Sequence, residues 1–175
     1  MNDHDLCIRP ECPDDLAAIR AVHTAAFGRP AEARLVDALR DMSAFVPELS
    51  LVAVADDAIV GHVLFSRIEI HGSERTVAAL ALAPLAVLPG WQRRGIGRQL
   101  VRAGHERARA LGHRLVVVLG HPEYYLRFGF VPASSYGIAA PFAVPNDAFM
   151  VAELQPGAAA DAAGVVEYPP PFAAV

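Results

Sequence analysis

The chain has 175 residues, 54% of them hydrophobic and 19% charged, the balance of one folded soluble domain rather than of a disordered chain. Its formal net charge of -4 speaks against a nucleic-acid or anionic-membrane partner. Arg, Asp or Gly interrupts every hydrophobic stretch well short of a membrane span, and Met1–Asp5 carries acid where a secretory leader needs positive charge, so the expected location is cytoplasmic.

Ile8-Arg9-Pro10 is a short candidate strand, after which Asp14 and Asp15 open a helix with Leu16, Ile19, Val22 and Phe27 on one side, ending at Gly28. Pro30 begins a second helix carrying Leu35, Val36, Leu39 and Met42, and Pro47 is expected to close that region. An antiparallel meander follows: Leu51 to Ala55, a turn at Asp56-Asp57, Ile59 to Ile70, a turn over His71 to Glu74, and a strand from Thr76. Pro84 interrupts this last strand, which resumes as Leu85 to Pro89, as expected of a bulge, an edge or the end of ladder pairing. Gly95 and Gly97 lead into a helix with Ile96, Leu100, Val101, Ala108 and Leu111 on its apolar face, capped by Gly112. Arg114 to Leu119 reads as a strand buried on both faces, Pro122 to Phe128 as a short helix, and Phe130-Val131 and Ala148 to Leu154 as the last strands. The expectation is one α+β (mixed α/β) domain over residues 1–154 with a single central sheet, and an extended tail of the same domain over 155–175.

Cys7 and Cys12 lie too close together for a disulfide framework, and the seven scattered histidines lack the helical pairing of a zinc site, so no metal is expected. The basic charge is uneven. All 15 basic residues are Arg, and seven of them fall between Trp91 and Arg114, where Glu106 is the only acid. Such an island suits a small polyanion bound locally, or simply a solvated helix face. The segment Arg94-Gly95-Ile96-Gly97-Arg98 adds to the first reading. It is neither a dinucleotide fingerprint, since the third glycine is replaced by Leu100, nor an NTPase loop, since the chain has no Lys. Glycines let the backbone approach a ligand, and the unpaired first N–H groups of a helix favour an anion. Arg93, Arg94 and Arg98 add charge, and the physical reading is a pyrophosphate site.

At this point the sequence resembles the GNAT superfamily of acyl-CoA N-acyltransferases. The likeness rests on Leu85-Ala86-Val87-Leu88-Pro89 followed by Gln92-Arg93-Arg94-Gly95-Ile96-Gly97, similar to the family's Q/R-x-x-G-x-G/A signature and its preceding strand. Tyr125-Leu126-Arg127-Phe128-Gly129-Phe130 is similar to its later Y-x-x-x-G-F element, and Gly120 to Phe130 as a whole resembles a bacterial YhbS-like branch. The resemblance implies a mostly antiparallel twisted sheet with one splayed parallel strand pair, flanked by helices. It implies acetyl-CoA as cosubstrate, with the backbones of Leu85, Ala86 and Val87 along its pantetheine arm and a free N–H there facing the thioester carbonyl. The backbone of Arg93, Arg94, Gly95, Ile96, Gly97 and Arg98 would cradle the pyrophosphate. Tyr125 would protonate the departing thiolate, with Tyr124 as its competitor.

Where many members carry a base Glu on the strand before the bulge, this chain has Ala79, Ala81 and Ala83, which leaves His121 and Glu32 as base candidates. The Asn that others place after the following strand is absent too, since Leu119-Gly120-His121-Pro122 runs straight into the short helix. The implied activity is acetyl transfer to a primary amine of a small molecule or protein, in a ternary complex. The alternatives are a non-catalytic acyl-CoA-binding module and a transferase for a longer acyl group. The acceptor would lie over the first two helices and later loops, around Phe27, Glu32, Tyr136 and Phe142. A homodimer is compatible with this reading.

Overall fold

The computed structural model describes residues 5–175. The acidic start read above as unlike a leader lies outside the described residues except for Asp5. One mixed sheet organises the chain. β1 (Cys7–Pro10), β2 (Phe45–Ala55), β3 (Ala58–His71) and β4 (Thr76–Val87) pair antiparallel in that order. β5 (Leu115–Leu119) lies parallel to β4, β8 (Phe149–Glu153) antiparallel to β5, and β6 (Val131–Pro132) antiparallel to β8. The helices are α1 (Leu16–Phe27), α2 (Ala31–Arg40), α3 (Ile96–Ala110) and the single-turn α4 (Pro122–Tyr125). No helix among the described residues is long and apolar enough to cross a membrane.

Strand alternation decides which helix covers which face. Leu51, Val63, Phe65, Val116 and Val118 point to one side and pack with Ile96, Leu100, Val101 and Ala108 of α3. Their neighbours Val52 and Leu64 point to the other side, against Ile19 of α1 and Leu35, Val36 and Leu39 of α2. Leu115 and Val117 join a third cluster with Ala158, Ala159, Ala162 and Val166. β5 is therefore buried on both faces, as its unbroken apolar run requires.

Several local expectations change. Pro47 sits inside β2 rather than before it, in the stretch between Phe45 and Ser50 where pairing with β3 is irregular and its missing N–H breaks no regular ladder. β4 continues through Pro84: between the pairs Phe65↔Leu82 and Val63↔Leu85, the two residues Ala83 and Pro84 oppose Leu64 alone, a bulge with a cis Ala83-Pro84 bond. Leu111 is 48% exposed, because the helix has ended at Ala110 and turned its apolar face away. Phe130 is a buried core residue just ahead of β6. From Gln155 onward the chain makes turns, then β9 (Gly164–Glu167), then a closing 3-10 turn over Pro170–Ala174. β9 pairs antiparallel with β3 at Glu69 to His71, beyond the point where β2 leaves that edge, and parallel with β7 (Ile138–Ala139).

A buried polar chain ties β2 and β3 to α1 and α2. The Glu11 carboxylate accepts from Arg40 Nε at 2.7 Å and from the Ser50 hydroxyl at 2.5 Å. With the Ser50 hydrogen committed to Glu11, His62 donates from Nε2 to Ser50 Oγ (2.8 Å) and accepts at Nδ1 from His23 Nε2 (2.8 Å). His23 Nδ1 ends the chain with no hydrogen-bond partner among the described residues. Burial pushes His23 down to about 3 and His105 to about 4, and lowers His62 as well. Burial works against the Glu11 charge, but hydrogen bonds from His62, Arg40 and Ser50 prevail and bring its carboxyl to about 2.

These groups give acid sensitivity a definite sign. Below about pH 6.5 the unfolded chain protonates its imidazoles while the folded His23 and His105 remain neutral, so protons favour unfolding. Below about pH 4.5 the unfolded Glu11 carboxyl adds to the loss until the folded one titrates near 2. The melting temperature is expected to fall steadily from pH 7 to pH 4 in calorimetry. His23→Gln should flatten the part of that slope between pH 6.5 and 4.

Candidate functional site

The site begins where two strands part. β4 and β5 pair only at Leu80↔Val116 and Ala81↔Val117, and past the bulge β4 has no partner on that side. Antiparallel pairing alternates, so only every second residue of β4 turns its backbone toward β3. The Leu88 N–H donates to Val60 O at 2.9 Å, which puts Ala86, two residues back, in the same phase and hence bonded toward β3. Leu85 and Val87 turn their N–H and C=O groups the other way, into the opening. The Gln92 side-chain amide donates to Val87 O at 3.0 Å, fixing the loop beyond β4 against this free edge.

Two cavities meet there, and Leu85 lines both. The smaller, of about 670 Å³, is walled by Leu85, Val87, the run from Trp91 to Arg98, and Tyr124 and Arg127. Gly95 adopts φ +80 and Arg93 φ +62, a left-handed pair of turns that delivers the chain into α3. Gln99 is the first residue whose N–H returns to the turn, to Gly95 O at 3.1 Å, and the N–H groups of Ile96, Gly97 and Arg98 before it have no intrahelical acceptor. A Cβ on Gly97 would lie 2.5 Å from the Tyr124 hydroxyl, so a side chain here would have to displace that ring. Arg94 stacks on Trp91 at 4.9 Å and Arg127 on Tyr124 at 5.2 Å, which holds two cations at the rim. The rest of the basic island divides. Arg98 lines the same cavity, whereas Arg109 donates to Leu154 O at 2.8 Å and braces α3 against the strand end.

The larger cavity, of about 1160 Å³, follows β4 from Ala81 to Leu85 and β5 from Val117 to Leu119, then Gly120 beyond it. Tyr125 faces it, while Tyr124 faces the smaller one, so adjacent phenols serve opposite sides. The Tyr125 ring meets Tyr124 edge-on at 5.0 Å and Phe130 at 5.6 Å, and burial pushes its hydroxyl well above the ordinary phenol range. Gly120 makes room for it, since a Cβ there would lie 2.5 Å from the ring.

Glu32 and His121 both line the larger cavity. The Glu32 carboxylate is nearly buried and gripped by the Arg29 guanidinium through Nε at 3.0 Å and Nη2 at 2.5 Å. His121 is exposed at the start of α4; its carbonyl accepts from the Tyr124 and Tyr125 N–H groups, and its imidazole makes no hydrogen bond or ion pair among the described residues. Of the acceptor-side residues expected from sequence, Phe27 and Phe142 line the cavity; Tyr136 instead donates to Glu153 at 2.9 Å. Among the described residues no group of three or more His, Cys, Asp or Glu could hold a metal ion, and Cys7 and Cys12 are free and exposed.

Sequence reasoning missed the third wall. Val165 to Pro170, Phe172, Ala173 and Val175 line the larger cavity, although they are remote in sequence from its other walls. The aromatic-proline run Tyr168-Pro169-Pro170-Pro171-Phe172 was the available signal.

The acetyltransferase (GNAT) domain model matches residues 47–132, the span that holds the parted end of β4 and the head of α3. The chain belongs to the GNAT acetyltransferase family and is an acyltransferase. It is 42% identical over 148 residues to the uncharacterized N-acetyltransferase YjhQ of Escherichia coli K12, covering 84% of this chain and 82% of that protein. It is 35% identical over 164 residues to the uncharacterized N-acetyltransferase YhbS of the same strain, covering 93% and 96%. The crystal structure of Escherichia coli YhbS in complex with CoA superposes with a TM-score of 0.90 at 32% identity, covering 99% of this chain and 94% of that one. A GNAT family acetyltransferase from Brucella melitensis in complex with acetyl-CoA superposes with a TM-score of 0.77 at 36% identity, covering 97% and 99%.

The packing against Gly120 provides a direct check. Gly120→Ala should displace the Tyr125 ring and leave the cradle intact. The expected result in crystals of the variant is a moved Tyr125 side chain with the backbone of 93–98 unchanged.

Proposed function

We propose that the protein moves an acetyl group from acetyl-CoA to a primary amine by direct attack, with both substrates bound at once. The observation that carries this is the meeting of the two cavities at Leu85, one built for a polyanion and the other apolar, joined by an unpaired strand edge. The residues present fit the cosubstrate: the open floor at Gly97, the unpaired N–H groups of Ile96, Gly97 and Arg98, and the guanidinium groups of Arg93, Arg94 and Arg98 suit a pyrophosphate. When bound, acetyl-CoA supplies an acetyl group activated as a thioester.

This chain's own groups do the rest. Leu85 and Val87 offer backbone groups along the pantetheine arm, and Ala86 between them locks the strand to β3. An N–H of the free edge, already aimed, stabilises charge growing on the carbonyl oxygen better than it stabilises the ground state. Tyr125 keeps its proton because burial disfavours the phenolate, and it donates to the sulfur as the thiol leaves. With a leaving thiol pKa of roughly 8.5, this help is secondary to holding the two substrates together. Arg29 occupies the Glu32 carboxylate, so His121 is the candidate base for the amine proton.

The test is release of free thiol from acetyl-CoA against a panel of amines. Acceptor-dependent release supports transfer. Tight cofactor binding with no release across a broad panel would establish a non-catalytic acyl-CoA-binding module instead. Tyr125→Phe should lower kcat at least about tenfold with cofactor affinity unchanged, and unchanged turnover would end its acid role. Gly95→Glu puts a side chain at a φ of +80 and a carboxylate in the cradle, and is expected to abolish cofactor binding in calorimetry.

A further inference from the structure

The acceptor side of the larger cavity is apolar to an extent the transfer chemistry does not require. Eight large hydrophobic residues are exposed among the described ones, and five of them, Phe27, Leu119, Phe142, Val165 and Val175, line this cavity. Exposed apolar surface scattered over a protein needs no explanation, but surface gathered in one concave site marks a ligand's apolar body. Phe142 stacks on Tyr168 with centroids 6.0 Å apart and planes 22° from parallel, and Tyr168 meets Phe172 at 5.0 Å. Together they form an aromatic wall, with Phe27 at the end of α1 lining the same cavity.

The charges of the cavity point the same way. Among the described residues its only side-chain carboxylates are Glu32 and Glu167, and each has a partner, Glu32 in Arg29 and Glu167 in His71 Nε2 at 2.7 Å. A polyamine or aminoglycoside carries several positive charges and would find no unpaired side-chain carboxylate among the described walls to meet them. Apolar walls also lower an amine's pKa, which favours the neutral form that attacks a thioester. A volume of about 1160 Å³ leaves, beside the reacting end of the cosubstrate, space for a ligand of small-molecule size.

We infer that the acceptor is a small monoamine with an aromatic or comparably bulky apolar body, whose ring packs against the wall of Phe142, Tyr168 and Phe172 while its amino group reaches toward Leu85. This rests on the transferase reading. In the reaction the amine nitrogen forms a bond to the acetyl carbon, the carbon–sulfur bond breaks, the sulfur takes a proton, and the nitrogen loses one.

The experiment measures thiol release from acetyl-CoA with 2-phenylethylamine, ethanolamine, spermidine and a lysine-containing peptide, and from hexanoyl-CoA with ethanolamine. The expected kcat/KM for 2-phenylethylamine exceeds that for each other acceptor by at least about tenfold. Phe142→Ala should raise KM for 2-phenylethylamine at least about fivefold and leave KM for acetyl-CoA unchanged; Phe142 is about half exposed, so this variant is expected to fold. Equal efficiencies, a preference for spermidine or the peptide, or hexanoyl-CoA outpacing acetyl-CoA with ethanolamine would overturn the inference, the last by giving the apolar wall to the acyl chain. Calorimetry of 2-phenylethylamine with the CoA-saturated protein separates the two readings. If no amine turns over but 2-phenylethylamine binds and Phe142→Ala weakens it, the pocket assignment stands and the transferase reading fails. If it does not bind, the pocket assignment fails whatever the turnover.

Discussion

Everything at the site follows from a hydrogen-bond ladder that stops early. β4 and β5 are joined at two register pairs and then separate, and the bulge at Ala83-Pro84 lies just past the last of them. An unpaired strand edge inside a protein carries a cost unless something satisfies its N–H and C=O groups. Here the sheet remains intact on the β3 side, so the strand cannot collapse to meet β5. The loop after β4 is held by Gln92 and satisfies only one carbonyl, that of Val87. The remaining groups have to be met by something outside the chain's own ladder.

The cradle and the apolar cavity are arranged around that edge by different physical means. The cradle depends on local backbone geometry: left-handed residues at 93 and 95, a missing side chain at 97, and the start of a helix with unpaired donors. The apolar cavity depends on distant segments brought together, α1 and α2 from one side, β5 and α4 from another, and β9 with the closing turn from a third. The two adjacent tyrosines divide accordingly, Tyr124 over Gly97 and Tyr125 over Gly120.

This difference explains what could be read in the sequence. The meander, the glycine pair at the head of α3 and the doubly buried β5 depend on periodicity and turn chemistry within a dozen or so residues, and each was legible. Pro84 signalled its bulge, but Pro47 was misplaced because a proline inside a strand is tolerated only where pairing is already irregular, and irregular pairing is a property of two strands. The role of β9 was hidden for a similar reason: nothing in Gly164–Glu167 says that β3 leaves an edge open at Glu69. The chain from Glu11 through Ser50 and His62 to His23 joins residues far apart in sequence, and no spacing rule would collect them. Which of two neighbouring phenols faces which cavity is a matter of helix phase over a single turn, finer than sequence periodicity resolves.

The separation of the two cavities in the chain has a consequence for how such proteins diversify. Apart from β4, the cradle is written in residues 91 to 98 with Tyr124 and Arg127, whereas the aromatic wall is written in Phe142 and the segment from 165 onward. On the proposed transferase reading, substitutions in the wall can accumulate without touching the half assigned to acetyl-CoA, and Leu85 is the residue that lines both. That division would let the molecule modified change while the group donor stays the same.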